Sequence, residues 1–168
     1  MMSWDKTPSI SVYFEDKQVI EGKATAFTNA AIEAAIIHCR ALLEFLGLGG
    51  KSQTQLKEIA TRMKSDDATV EQFEGLSKVS IKKAAESYKG SADQAEASLA
   101  YVIYLANKGL AHTTTSFTRH DDGSTLLESA FRGVPALVVN NFYKGLKIPP
   151  PKYEWPTRKL ETPKRGGP

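Results

Sequence analysis

The chain is short of the residues from which metal sites and disulfide frameworks are built. Its 168 residues contain one cysteine, Cys39, and three histidines, His38, His112 and His120. A single cysteine excludes an internal disulfide, and the scattered histidines lack zinc-type spacing. Cys39 lies in the apolar sequence IIHCRALL, which favours a buried thiol over a reactive one. We therefore expect no bound metal and no other cofactor.

Long apolar runs and targeting signals are also missing. No run approaches the roughly 20 apolar residues that a membrane-spanning helix needs. The N-terminal sequence MMSWDKTPSISVYF has neither a basic n-region nor an apolar h-region, so no signal peptide is expected. Gly47, Gly49 and Gly50 follow a predicted helix and not a strand, so they do not form a phosphate-binding loop. These absences predict a cytoplasmic protein without membrane contact.

Charge is distributed unevenly along the chain. The net charge is +3, but from residue 147 to the end six basic residues stand against two acidic ones, which assigns +4 to the tail and −1 to the rest. With a net charge of −1, the chain before residue 147 lacks the strongly basic surface of a dedicated nucleic-acid-binding protein. The tail can contact phosphates or can be a solvated terminus. We predict one domain at residues 1–148, with an N-terminal arm at 1–22, and a proline-rich basic tail at 149–168.

The N-terminal part predicts a small β element. In residues 9 to 20, Ile10, Val12 and Phe14 alternate with Ser11 and Tyr13, and a turn can follow at residues 15–17. The segment is a short β-hairpin or an extended arm. An isolated hairpin is marginally stable in water, so we expect it to pack on the helices or on another subunit.

Helical periodicity dominates the remainder. Residues 24–48 predict a helix that ends at the glycines and is central to a bundle, because it carries a wide apolar stripe that includes Ile32, Ile36, Cys39, Leu43 and Leu46. A short helix is predicted in residues 51–64, followed by a loop or a new N-cap at residues 65–67. One or two more short helices are predicted in residues 70–88. A long helix is expected over residues 92–117, started by the sequence Ser91-Ala92-Asp93-Gln94. Its period-3.6 apolar stripe comprises Ala95, Leu99, Val102, Ala106, Gly109 and Thr113.

The last helix is expected to begin near Ser124 or Thr125, where Thr125 and Glu128 fit a capping box. Pro135 lies inside its pattern and predicts a kink near Gly133–Val134. Gly145 would end it, and three prolines then set an extended C-terminal tail. The predicted fold class is all-α: a four- or five-helix bundle with a short N-terminal arm or hairpin.

The end of the long helix concentrates the functional chemistry. In the sequence Asn-Lys-Gly-Leu-Ala-His, Lys108 and His112 are four residues apart and share a helix face. Histidine can act as a general acid or base, and a cation can stabilise a phosphate. Alternatively, these residues have only structural roles. His112 would then interact with the helix dipole or form a hydrogen bond to a neighbouring helix, and Asn107 would make a polar contact within the bundle.

The pairing of a first helix AAIEAAIIHCRALLEFLGL with a later YLANKGLAHTT resembles the HEPN superfamily. Members are compact α-helical bundles, often dimeric, and many are RNases of toxin–antitoxin or phage-defence systems. Their active RNases carry an arginine a few residues before a histidine, often with asparagine directly after the arginine. His112 matches the histidine, but Asn107 stands at the arginine position and Lys108 at that of the polar residue. The closer likeness is to HEPN-like proteins with an Asn-Lys-x-x-Ala-His sequence.

This resemblance implies catalytic roles for His112 as acid/base, Lys108 on the phosphate and Asn107 in orientation, with attack by a ribose 2′-hydroxyl. It also implies a homodimer with a composite cleft, in which Arg40 and Arg119 would bind ligand. In the alternative interpretation, both arginines are solvated side chains. The absent arginine counts against metal-independent endoribonuclease activity, because lysine lacks a bidentate guanidinium fork.

Two functions therefore remain open. One is an HEPN-like protein that binds RNA or a nucleotide, with an antitoxin or another protein as a further partner. The other is a non-catalytic homodimeric or protein-interaction helical module.

Overall fold

The structure is a computed structural model that describes residues 8–60, 66–86, 91–110 and 121–152. These residues form a helix-rich fold with two small antiparallel β-hairpins. The strands are β1 (Ser9–Phe14), β2 (Lys17–Lys23), β3 (Leu48–Gly50) and β4 (Leu56–Glu58). The helices are α1 (Ala24–Phe45), α2 (Ile81–Glu86), α3 (Ala92–Tyr104) and α4 (Gly123–Val138). The π-helical segments Leu105–Leu110 and Val139–Tyr143 extend α3 and α4.

The N-terminal segment, predicted as a β-hairpin or an extended arm, is a β-hairpin. β1 and β2 pair antiparallel from Ser9–Lys23 to Phe14–Lys17, with a register shift at Val12/Tyr13. The backbone amide of Ala24 donates to the carbonyl of Pro8 at 2.8 Å, which ties the hairpin to the start of α1. Every residue of the two strands is exposed except the half-buried Gly22. The hairpin therefore does not pack on the helices among the described residues.

Helix α1 is buried only in its second half, which corrects the prediction of a central helix. Its buried residues are Ile36, Cys39 and Leu43, whereas Ile32 of the predicted stripe is 42% exposed. By length and composition alone, α1 could cross a membrane. Its second half is anchored in the protein core by Ile36, Cys39 and Leu43.

The central helix is α3. Ala95, Leu99 and Val102 of the predicted stripe are buried, and so are Tyr101 and Ile103 on other faces. Helix α3 contacts α1, α2, α4 and both strands of the second hairpin. The hydroxyl of Ser91 accepts a hydrogen bond from the amide of Gln94 at 3.2 Å, so the predicted start of this helix is confirmed.

The predicted short helix in residues 51–64 is wrong as far as the structure describes it. Strand β4 lies there instead and pairs with β3, which precedes residue 51. Gly47 takes a φ of +91° that ends α1 sharply. The amide of Ile59 donates to the carbonyl of Gly47, and the amide of Val79 to that of Leu46. These long-range bonds override the local periodicity. The two short helices expected next are present as a 3₁₀ turn at Val70–Gln72 and as α2.

Helix α4 differs from its prediction at its first turn. It begins at Gly123, so Thr125 already lies inside the first turn and the Thr125–Glu128 capping box does not form. The carboxylate of Glu128 pairs with Arg132 at 2.6 Å instead. The helix continues through Pro135 and passes into the π-helical segment. There Phe142 packs edge-to-face on Phe45 and Phe73.

The expectation of an all-α bundle is therefore met in part. The described chain is helix-rich, but a second hairpin, β3–β4, joins α1 to the later helices. Its buried side chains Leu48 and Leu56 belong to the same core as Leu99 and Ile103. This hairpin positions the candidate site.

Candidate functional site

The candidate motif lies where α3 widens into the π-helical segment Leu105–Leu110. Its sequence, LANKGL, contains Asn107 and Gly109, both weak helix formers, and this favours departure from regular α geometry. Asn107 is half-buried and Lys108 is exposed. Single-turn π segments occur frequently at functional sites. The structure thus gives the first two motif residues a local conformation that differs from the rest of the helix.

Asn107 and Lys108 line a small, open pocket of about 120 Å³ between the end of α3 and the β3–β4 turn. Its other lining residues are Gly50, Lys51, Ser52, Ile103 and Tyr104. A Cβ atom placed on Gly50 would lie 3.0 Å from Cγ2 of Ile103. The absence of a side chain at this glycine therefore lets the strand approach α3 closely and close one side of the pocket.

The β3–β4 turn is held in place by its own hydrogen bonds. The amides of Lys51 and Ser52 donate to the carbonyl of Gln55 at 2.9 and 3.1 Å. The hydroxyl of Ser52 accepts from the amides of Thr54 and Gln55. The backbone that carries Lys51 and Ser52 is therefore ordered against α3 before any ligand binds.

The pocket combines positive charge with an aromatic surface. Lys51 and Lys108 both line it, and no acidic side chain does so within the described residues. Neither lysine forms an ion pair with a residue in the part of the chain that the structure describes. Tyr104 is half-buried and stacks on Tyr101, with the ring centroids 6.4 Å apart. Two cations, an amide and an aromatic ring are groups that can hold a phosphate and a base.

The remaining predicted site residues are not brought into this pocket. Arg40 is half-buried on α1, and its Nε donates to Oε1 of Glu44 at 2.9 Å, an i,i+4 pair within the helix. Arg40 does not line the pocket. His112 and Arg119 lie outside the described residues, as does the basic tail from residue 153. The structure thus joins two of the three predicted catalytic residues.

The sequence prediction missed Lys51, Ser52 and Tyr104. Tyr104 precedes Asn107 by three residues, so helical spacing could have placed it on the same face. Lys51 and Ser52 had no such signal, because residues 51–64 were predicted as a helix. Their approach to Asn107 depends on strand pairing between β3 and β4 and on the packing of both strands against α3.

The described residues of this site include neither a cluster of metal ligands nor a cysteine. Among the described residues, no group of three histidine, cysteine, aspartate or glutamate side chains is placed to hold a metal ion. Burial raises the pKa of the Cys39 thiol to about 11, and Cys39 does not line the pocket. The described residues that line the pocket can contribute electrostatic binding, hydrogen bonding and stacking.

Comparisons with family models, with curated proteins and with solved structures found no significant match to this chain. The class that the structure itself defines is a helix-rich fold with two antiparallel hairpins and a cationic pocket at the end of its central helix.

Proposed function

We propose that the protein is an HEPN-like cytoplasmic protein that binds RNA or a nucleotide in a toxin–antitoxin or phage-defence setting. The observation that supports this function is the meeting of Asn107 and Lys108 with Lys51 and Tyr104 in one pocket. The helical bundle of the HEPN type is part of the same proposal. A phosphate would lie between the two lysine ammonium groups, and a base would stack on the exposed part of Tyr104.

If the protein cleaves RNA, His112 acts as the acid/base in attack by a ribose 2′-hydroxyl, and Lys108 stabilises the phosphate. Asn107 orients the reacting group. Lys51 adds a second positive charge, which partly replaces the arginine that HEPN RNases carry. A lysine is a point charge without the planar fork of arginine, so we expect any cleavage to be slow.

Binding is tested with a fluorescent single-stranded RNA and the full chain, by anisotropy at several salt concentrations. We expect Lys51→Ala and Lys108→Ala each to weaken binding and to lower the salt slope by about one unit. Lys82→Ala is the matched control, because Lys82 is an exposed lysine on α2 that does not line the pocket. Equal losses in all three variants would contradict a specific site.

Cleavage is tested separately with mixed RNA, EDTA and a His112→Ala variant. Cleavage by the wild type that is lost in the variant supports a metal-independent endoribonuclease. If the wild-type protein binds RNA without cleaving it, the binding function stands and the nuclease hypothesis is rejected.

The second candidate is a non-catalytic module that binds another protein. It is favoured by one observation, the exposed apolar N-terminal hairpin, on which Phe14 is 72% exposed. The two functions are distinguished by the RNA experiment: a protein that binds no RNA at low salt, while its hairpin mediates association, is an interaction module.

A further inference from the structure

The pocket beside Asn107 has room for one small chemical group and not for a whole nucleotide. Its volume is about 120 Å³, whereas pockets that enclose a small organic ligand measure about 300–1,000 Å³. One wall is fixed, because Gly50 lies against Ile103 and a Cβ atom on that glycine would stand 3.0 Å from Cγ2. A nucleotide can therefore place only part of itself inside, while its base and ribose stay at the mouth.

The polar side chains of the β3–β4 turn and of the end of α3 offer hydrogen-bond donors to the pocket. Lys51 and Lys108 carry ammonium groups, which can only donate. The hydroxyl oxygen of Ser52 accepts hydrogen bonds from the amides of Thr54 and Gln55 at 3.3 and 3.1 Å. These two bonds use both lone pairs of the oxygen, so the hydroxyl can only donate to a further partner. A ligand that accepts hydrogen bonds fits such a lining.

The number of donors and the charge distinguish between two kinds of phosphate. Asn107 adds a side-chain NH₂ group, so four side chains can donate to one ligand. A phosphomonoester presents three acceptor oxygens and a charge of about −2 near neutral pH. A phosphate inside a strand is esterified on both sides and carries one charge. Two ammonium groups, with no acidic side chain among the described lining residues, match the charge of the monoester.

The anion would be held by side chains and not by the backbone of the turn. The amides of Lys51 and Ser52 already donate to the carbonyl of Gln55 at 2.9 and 3.1 Å. They are therefore not available as an anion-binding nest of the kind found in phosphate loops. Each contact from the turn to an anion then comes from a side chain that a single substitution can remove.

We propose that this pocket selects a terminal phosphomonoester, the group at a phosphorylated end of RNA or on a mononucleotide, over a phosphate inside a strand. The phosphate lies between the ammonium groups of Lys51 and Lys108, and the Ser52 hydroxyl donates to one of its oxygens. The terminal base stays outside and contacts the half-buried ring of Tyr104. This selectivity rests on the proposed binding of RNA or a nucleotide, and it adds the chemical group that the site recognises.

The test compares single-stranded RNAs of one sequence that differ only in whether one end carries a phosphate or a hydroxyl. The 5′ and 3′ ends are tested in turn, with a fluorophore on the opposite end, by anisotropy with the full chain at one salt concentration. We expect a phosphate on at least one end to tighten binding to the wild type by about tenfold or more, because it adds charge-assisted hydrogen bonds. A ratio of dissociation constants near one at both ends overturns the selectivity and leaves RNA binding in place.

Substitution of the two lysines shows whether the preference for a phosphorylated end comes from this pocket. Lys51→Ala and Lys108→Ala should each lower the ratio by about threefold or more, because each removes one of the two charges. Lys82→Ala is the matched control, because Lys82 is exposed on α2 outside the pocket, and it should keep the wild-type ratio. If the lysines have only a structural role, both RNAs lose affinity equally and the ratio stays constant, which overturns the proposal.

Ser52 is tested with two substitutions. Ser52→Thr keeps the hydroxyl and should keep the ratio, whereas Ser52→Ala removes the donor and should lower it. The alanine variant also removes the acceptor of two turn amides, so far-UV circular dichroism and thermal unfolding check that it folds. If it does not fold, the lysine variants decide. A folded Ser52→Ala variant with the wild-type ratio would overturn the role of the hydroxyl.

Small ligands distinguish the possible sources of the phosphomonoester. Calorimetric titrations of the full chain use inorganic phosphate, adenosine monophosphate and adenosine. We expect adenosine monophosphate to bind and adenosine, which lacks the phosphate, not to bind measurably. Equal affinities for these two ligands overturn the proposal. Inorganic phosphate that binds as tightly as phosphorylated RNA would assign the site to free phosphate and overturn the selection of a nucleotide or an RNA end.

The same titrations separate failure of this inference from failure of the proposed function. If the wild type binds none of the RNAs, RNA binding is rejected. Binding of adenosine monophosphate that Lys108→Ala weakens would then still support the phosphomonoester site. A wild type that binds neither RNA nor adenosine monophosphate overturns both proposals.

Discussion

The backbone amide of Leu56 donates a hydrogen bond of 2.9 Å to the carboxylate of Glu96, although 40 residues separate them in sequence. Leu56 is the buried first residue of β4, and Glu96 is half-buried on α3. This bond connects the second hairpin to the central helix. The hairpin carries Lys51 and Ser52, so the bond also maintains one wall of the candidate pocket.

Replacing Glu96 by alanine should loosen this connection. The buried amide of Leu56 would lose its acceptor, and we expect the free energy of unfolding to fall by about 1–3 kcal/mol. Urea denaturation measures the loss, and hydrogen exchange of the Leu56 amide should accelerate. Glu33→Ala, at an exposed glutamate of α1, should change stability by less than about 0.5 kcal/mol. Unchanged exchange at Leu56 in Glu96→Ala would show that the bond is dispensable.

Gly50→Ala should push β3 away from α3. The new Cβ would lie 3.0 Å from Cγ2 of Ile103, closer than ordinary packing, and overpacking of this kind costs about 1–3 kcal/mol. Ligand binding at the pocket should weaken with it. Gly22→Ala is the control, because its Cβ would meet Phe27 at an ordinary 3.6 Å. Equal stability of the two variants in thermal unfolding would argue against the close strand–helix approach.

Cys39 should be unreactive in the native protein. Burial raises the pKa of its thiol from the ordinary 9.0 to about 11, so little thiolate forms near neutral pH. We expect iodoacetamide to label Cys39 slowly in the folded chain and rapidly in urea. Rapid labelling of the folded chain, at the rate found in urea, would contradict burial of the thiol.

The same pKa shift predicts how stability depends on pH. The folded state holds the thiol proton more tightly than the unfolded chain does. The contribution of Cys39 to the free energy of unfolding is therefore complete below about pH 9 and declines as the pH rises toward 11. Other groups titrate in the same range, so the measurement compares the wild type with Cys39→Ala. The wild type should lose more stability than the variant across this window. Parallel curves would contradict the shift.

Asn141 offers a site at which stability can be raised. Its Nδ2 donates to the carbonyl of Leu137 at 2.9 Å, but its buried Oδ1 has no hydrogen-bond partner among the described residues. Asn141→Leu removes a desolvated polar atom, and we expect a gain of about 1 kcal/mol with an unchanged urea m-value.

The neighbouring Asn140→Leu is the control for this change. Asn140 is exposed, and its Oδ1 accepts a hydrogen bond from Lys144 at 2.7 Å. This substitution should shift stability by less than about 0.5 kcal/mol or lower it slightly. A loss of stability in Asn141→Leu would mean that Oδ1 has a partner in the folded protein.

Local signals predicted the elements whose causes are local. Alternation of Ile10, Val12 and Phe14 predicted the first hairpin, and Ser91 predicted the start of α3, because pleating and helix capping involve neighbouring residues. The Thr125–Glu128 capping box failed because helix α4 starts earlier, at Gly123.

The candidate site was predictable only where it lies on one element. Asn107 and Lys108 could be chosen from their sequence, and Tyr104 is within reach of the same helical spacing. Lys51 could not be found, since its position depends on the pairing of β3 with β4 and on the bond between Leu56 and Glu96.

By itself, the sequence determined the helix-rich character, the first hairpin and the apolar stripe of α3. Each of these follows from periodicity and capping over a few neighbouring residues. Tertiary structure alone decided that α3 and not α1 is central, that a second hairpin replaces a helix, and that Lys51 joins Asn107. The physical reason is that burial and strand pairing depend on contacts between distant residues, which a local pattern does not specify.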